Sequence, residues 1–149
     1  MRRSPEEPAS GHPHRLYVHL AWSTLARVPA IAPARRAAIE THILAICRQA
    51  GAEPVEARAF ADRIHLVARL PPALSVQSLA DRVRREVAER LARSGLVVRW
   101  SPGFAAVTIA PDAVRRTRRR LAELVSPDPA RGPRAARGRR GGTSVVSRD

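Results

Sequence analysis

Two strand-like runs, "EPVEARAF" at 53–60 and "RIHLVARL" at 63–70, are separated by only Ala61 and Asp62. So short a link permits one arrangement, an antiparallel hairpin, because parallel strands need a crossover of a dozen residues or more. Pro71 and Pro72 stop the second run, since proline cannot donate to a strand ladder. The rest of the chain must therefore pack on an antiparallel sheet.

The flanking periods supply the other elements. In "RLYVHLAWS", Leu16, Val18, Leu20 and Trp22 alternate, as a half-buried strand requires. Pro33 opens a helical stretch through Ala50, with Ile39, Ile43, Ile46, Cys47 and Ala50 at helical spacing and Gly51 at the expected C-cap. Ser75 suits an N-cap, and Val76, Leu79, Val83, Val87 and Leu91 follow as an apolar stripe. "GLVVRW" and "FAAVTIA" are expected as strands around a turn at Ser101–Pro102–Gly103. Pro111 opens a last helix with Val114, Thr117, Leu121, Leu124 and Val125 inward. The expected order is strand, helix, strand, strand, helix, strand, strand, helix. This predicts an α+β ferredoxin-like sandwich, an antiparallel sheet with helices on one face.

Alternation divides the second hairpin strand. Ile64, Leu66, Ala68 and Leu70 share one face, which should meet the helices. Arg63, His65, Val67 and Arg69 share the other. That second face is either a functional surface or a partly exposed sheet face with solubilising arginines. His12 and His14 supply at most half a zinc shell and are expected to be incidental. Cys47 lies on an apolar helix stripe, a small core residue. Tyr17, the only tyrosine, is expected to be half-exposed and structural. Asp62 and His65 lack a serine or cysteine to complete a triad.

Charge bears most directly on partners. Formal net charge is +14, and all 27 basic residues are arginine. From Pro111 onward eleven arginines face only Asp112, Glu123, Asp128 and Asp149. Five of them, Arg115, Arg116, Arg118, Arg119 and Arg120, fall within six residues of helix. A solvated helix face usually mixes signs to gain i, i+4 pairs. This one does not, so a polyanion that supplies counter-charge is expected. Aromatics are only 3% of the chain, which argues against base readout by stacking. The folded domain is expected at 14–125, between a disordered segment at 1–13 and a disordered basic Pro/Gly/Arg-rich tail at 126–149. One cysteine, no apolar run of 18 residues and no signal-like N-terminus fit a cytoplasmic protein, nucleoid-associated if DNA-bound, with no membrane contact.

Three segments carry a family resemblance: "YVHLAWST" at 17–24, "ADRIHLVARLPPALSVQSLADRVRRE" at 61–86 and "WSPGFAAVTIAPDAV" at 100–114. In this order and spacing the chain resembles the HUH-type single-tyrosine transposases, the IS-two-hundred-like and REP-associated enzymes, over about residues 14–124. The resemblance implies DNA transposition through cleavage and rejoining of single-stranded DNA. A tyrosine on the last helix attacks a phosphodiester. Two strand histidines and a glutamine one helical turn after the tyrosine hold Mg²⁺ or Mn²⁺. It also implies a homodimer and a DNA partner, single-stranded or hairpin.

The matched positions depart from that chemistry. His65 stands at the second histidine and keeps a vestigial metal position, but Arg63 stands at the first. Arg120 falls at the tyrosine and Leu124 at the glutamine, and residues 100–149 contain no tyrosine, histidine or glutamine. Guanidinium repels a metal and cannot act as a phenolate nucleophile. The expectation is a catalytically degenerate member that needs no metal or small-molecule cofactor and binds DNA without cleaving it. Its nucleic-acid-binding residues would be Arg63, His65, Arg69, Arg115, Arg116, Arg119 and Arg120. The alternatives are a non-catalytic dimerisation or protein-interaction module and a decaying remnant of a mobile element.

Overall fold

A computed structural model describes residues 16–125. The expected segments at 1–13 and 126–149, with His12 and His14, lie outside the described residues. Strand β1 (Leu16–Ser23) is followed by helix α1 (Pro33–Gln49), the hairpin strands β2 (Glu53–Ala59) and β3 (Arg63–Leu70), and helix α2 (Val76–Arg93). Strand β4 (Ala105–Ile109) and helix α3 (Val114–Val125) complete the order. The sheet runs β2-β3-β1-β4, with every pair antiparallel. The α+β fold class expected from the pattern is the one observed.

Local chemistry explains four of the boundaries. Pro33 sits in the first turn of α1, where its missing N–H is no loss. Gly51 takes φ +86° just beyond the end of α1, a conformation that favours glycine. The Ser75 hydroxyl accepts from the Ser78 N–H at 3.0 Å and caps α2. The turn between β2 and β3 closes through Phe60 N–H to the Arg63 carbonyl at 2.8 Å.

The main core lies between α1, α2 and one sheet face. Val18, Leu20, Trp22, Ile64, Leu66, Ala68 and Leu70 meet Ile39, Ile43, Ile46, Cys47, Leu79, Val83, Val87 and Leu91 there. Cys47 is a buried core thiol, and burial pushes it up to about 12, which leaves it unreactive. The opposite sheet face carries a second, thin cluster. It consists of Val67, Ile109 and Leu121, with Tyr17, Val55, Ala113 and Val114 against it. Val67 shares its face with His65, so α3 lies on the face away from α1 and α2, an addition to the one-sided helix layer expected.

One expected strand is absent. In "GLVVRW", residues 96–99 form no ladder, and only Trp100 bridges, to Thr24. Val97 is 78% exposed while Val98 is buried. The alternation therefore records one-sided burial of a connecting segment. Trp100 Nε1 donates to the Arg84 carbonyl at 2.9 Å, and Arg84 donates to the Ser101 carbonyl at 2.6 Å. These bonds fix the 100–103 turn beside the open sheet face.

Candidate nucleic-acid interface

The second sheet face presents Tyr17, His19 and Ala21 from β1 beside Arg63, His65, Val67 and Arg69 from β3. The antiparallel register sets Ala21 opposite His65 and His19 opposite Val67. His19 and His65 are thus diagonal neighbours on one face, within reach of each other's rings. Their nitrogens meet, His19 Nε2 to His65 Nδ1 at 2.9 Å, one donating and the other accepting. A pair of histidines does exist here, but it is built across two strands. The sequence reading missed His19, whose signal was its shared parity with Tyr17 and Ala21 on a strand bound to pair with β3.

Arg63 is held twice. Its guanidinium carbon lies 4.6 Å from the Phe60 ring centroid, a cation–π contact, and its Nη1 is 3.6 Å from Asp62 Oδ1. The Phe60 ring meets His65 edge-on, with centroids 5.5 Å apart. Arg27 joins from the turn after β1, with its Nε 3.1 Å from Asp62 Oδ2. A cavity of about 600 Å³ opens over these groups, lined by Arg27, Arg63, His65, Ser101, Phe104 and Leu124 among others. A second, of about 400 Å³, lies between His19, His65, Thr117, Arg120, Leu121 and Leu124.

The α3 geometry explains how Arg120 arrives there. Leu121 is buried against Val67 and Ile109, and Thr117 donates back to the Ala113 carbonyl at 3.1 Å. Residues one position either side of that inward line flank the helix. Arg118 flanks toward β2 and pairs with Glu56 at 3.2 Å. Arg120 flanks toward the histidines. Arg115, Arg116 and Arg119 point outward and are exposed. Arg115, Arg116, Arg119 and Arg120 make no ion pair among the described residues.

Positions 63, 65, 120 and 124 therefore converge on adjoining cavities. Arg69 does not join them. Six strand residues from Arg63, roughly 20 Å along β3, it pairs with Glu53 at 3.4 Å beside another hollow. Tyr17 is half-buried against the α3 cluster, as a structural tyrosine should be.

A family model described as "Transposase IS200 like" matches residues 12–119, well over half the sequence. The chain belongs to the IS200-like transposase family. A comparison with curated proteins finds no match. Among solved structures, a candidate transposase from Deinococcus radiodurans R1 superposes with a TM-score of 0.61 at 18% identity, covering 79% of this chain and 96% of that one. A REP-associated tyrosine transposase bound to a REP hairpin gives 0.51 at 14% identity, covering 79% and 68%. Both similarities are in fold. Against this family pattern the convergent positions are notable for what they hold: two guanidinium groups, one imidazole and a leucine side chain.

The electrostatics of the face affect its stability. Burial, then the neighbouring His19, Arg63 and Arg27, push His65 down to about 4 from the usual 6.5. Burial also lowers His19. The unfolded His65 takes a proton near 6.5 and the folded one only near 4. The stability linked to its neutral form is thus full above pH 6.5 and lost as pH falls toward 4. After allowance for solvent screening this is on the order of 1–2 kcal/mol. In thermal melts at pH 7 and pH 4.5, His65→Gln should lose less on acidification than the wild type, by about 5 °C. Equal losses would show that His65 titrates freely.

Proposed function

We propose that this chain binds DNA, single-stranded or hairpin, and does not cleave it. Arg63, His65 and Arg120 hold a backbone phosphate, and the α3 arginines extend the contact. The observation that carries this reading is the convergence of positions 63, 65, 120 and 124 on adjoining cavities. Arginine there suits a phosphate, which it can meet with two parallel N–H donors.

The same residues do not fit the divalent ion of the family's chemistry. Two imidazoles whose nitrogens are engaged with each other at 2.9 Å stand among Arg27, Arg63 and Arg120, and Asp62 is engaged by two of those arginines. Among the described residues no group of three or more His, Cys, Asp or Glu could share a metal. Mg²⁺ and Mn²⁺ favour oxygen-rich shells. Binding is therefore proposed to be metal-independent. A neighbour in fold whose structure was solved with a REP hairpin supports hairpin DNA as the first ligand to test. Among the described residues β4 pairs only with β1, and its outer edge is the feature that would let a second copy add to the sheet as a homodimer. No described helix is long and apolar enough to cross a membrane. A DNA-bound protein would sit with the nucleoid.

The test is a salt titration of binding to a labelled DNA hairpin, with and without Mg²⁺ or Mn²⁺. Wild type should bind without metal and leave no covalent adduct on denaturing gels. Arg63→Ala should bind several-fold more weakly, with a salt slope lower by about 0.7–0.9 for one lost phosphate contact. An unchanged slope would remove Arg63 from the interface, and an adduct would overturn the non-cleaving assignment.

A further inference from the structure

The turn that carries Arg27 is under backbone strain. Ala26 has φ +55° and Arg27 φ +58°, two consecutive non-glycine residues in the left-handed region. This conformation is unfavourable for a residue with a side chain and persists only where the surroundings over-determine it. Here the surroundings do. Thr24 is 1% exposed, the one buried polar side chain among the described residues. Its hydroxyl donates to the Val28 carbonyl at 2.7 Å, with the Asp62 carbonyl 3.2 Å away as the alternative acceptor of the same proton, and its N–H donates to Asp62 O at 2.8 Å. Leu25 N–H donates to the Arg99 carbonyl at 2.8 Å. This framework ties the Arg27 turn to the β2–β3 turn and presents the guanidinium, 57% exposed at its side chain, to the cavity over Arg63 and His65.

The Asp62 carboxylate occupies the space between the two arginines. Oδ2 faces Arg27 Nε at 3.1 Å and Oδ1 faces Arg63 Nη1 at 3.6 Å, one oxygen to each guanidinium. Two non-bridging oxygens of a phosphodiester could bridge the same pair. We infer that Arg27 and Arg63 form a phosphate clamp and that Asp62 is its internal anion, displaced when a nucleic-acid phosphate binds. Arg27 was no part of the site expected from sequence. This inference rests on the DNA-binding reading above, and it adds a clamp residue and a built-in competitor.

The signature is a pair of opposite signs. Asp62→Asn frees both guanidiniums and keeps the main-chain carbonyl that Thr24 uses. It should tighten binding of a 20-residue oligothymidylate about 3- to 10-fold at 0.1 M salt, by analogy with the gain expected from releasing charge-assisted pairs. Arg27→Gln should weaken it by a similar factor, and in the double variant most of the Asp62→Asn gain should disappear. Glu89→Gln, an exposed charge on α2 across the sheet, controls for net charge and should change binding less than 2-fold. The Arg27 Nε–H resonance should shift on addition of the oligonucleotide.

A wild-type protein that does not bind the oligonucleotide or hairpin overturns the DNA-binding reading and the clamp together. Binding that Asp62→Asn and Arg27→Gln leave unchanged overturns the clamp alone. An equal gain from Glu89→Gln does so too, by reducing the effect to net charge. If Asp62→Asn fails to fold, the Arg27→Gln affinity and the wild-type Arg27 shift still decide the matter.

Discussion

Glutamine at Arg115, Arg116, Arg119 and Arg120 together is expected to flatten the salt dependence of single-stranded DNA binding by about 2.8, at roughly 0.7 per phosphate contact. At 0.15 M salt the same counterion argument gives about a 10²-fold loss of affinity. These four side chains are exposed and make no ion pair among the described residues, so little native contact is removed. Arginine and glutamine have similar helix propensity, and removing like charges from i, i+4 positions relieves repulsion. Melting temperature should hold steady or rise while binding collapses. A fall in both would mean that the arginines stabilise α3, and an unchanged slope would place the DNA elsewhere. Arg118 is left intact because it is already paired with Glu56.

What could be read from the sequence was local. The β2–β3 hairpin follows from a two-residue link, the α2 cap from Ser75, and the α1 terminus from Gly51, each needing only neighbours in the chain. The facing of β3 was equally legible, since strict alternation put Ile64, Leu66, Ala68 and Leu70 inward. Alternation misled only in "GLVVRW", where one-sided burial occurs without a ladder. Side-chain period reports which residues are covered and is silent on where the backbone N–H groups go.

The site was half legible for a related reason. The convergence of Arg63, His65, Arg120 and Leu124 followed from fixed offsets, the first two inside the 61–86 segment and the last two counted on without a gap from Trp100. His19 was missed because its meeting with His65 depends on the β1–β3 register, a long-range fact. Arg27 went unnoticed because a strained turn held by a buried threonine has no periodicity to detect, and Asp62 was weighed only as a triad partner of His65, since its pairing with Arg27 is a long-range contact. Arg69 illustrates another limit of pattern reading. Parity assigned it correctly to the face, but parity carries no information about distance along a strand. The side of the sheet taken by α3 was also undetermined. An amphipathic helix requires an apolar surface, and Val67 with Ile109 supplies one at the end of the face away from Arg63 and His65.

That thin support makes Leu121 the most consequential apolar residue for function. The main core joins two helices to one sheet face, and its loss would unfold the domain. The α3 cluster rests on just three buried residues, Val67, Ile109 and Leu121. Leu121→Ala removes the one buried side chain described for α3, at an expected cost of about 2–4 kcal/mol. The half-buried Val114 and the exposed Arg118–Glu56 pair are the other described ties, so the cost should fall on the docking equilibrium of α3 while β1, β3, α1 and α2 remain folded. Hydrogen exchange should accelerate by roughly two orders of magnitude in α3 amides, at 1.4 kcal/mol per tenfold, with much smaller changes in α2. Arg120 would leave the histidines with the helix, so DNA affinity should fall although no charge has been removed. Uniform acceleration across α2 and α3 would instead show one cooperative unit and would overturn the separate docking of α3.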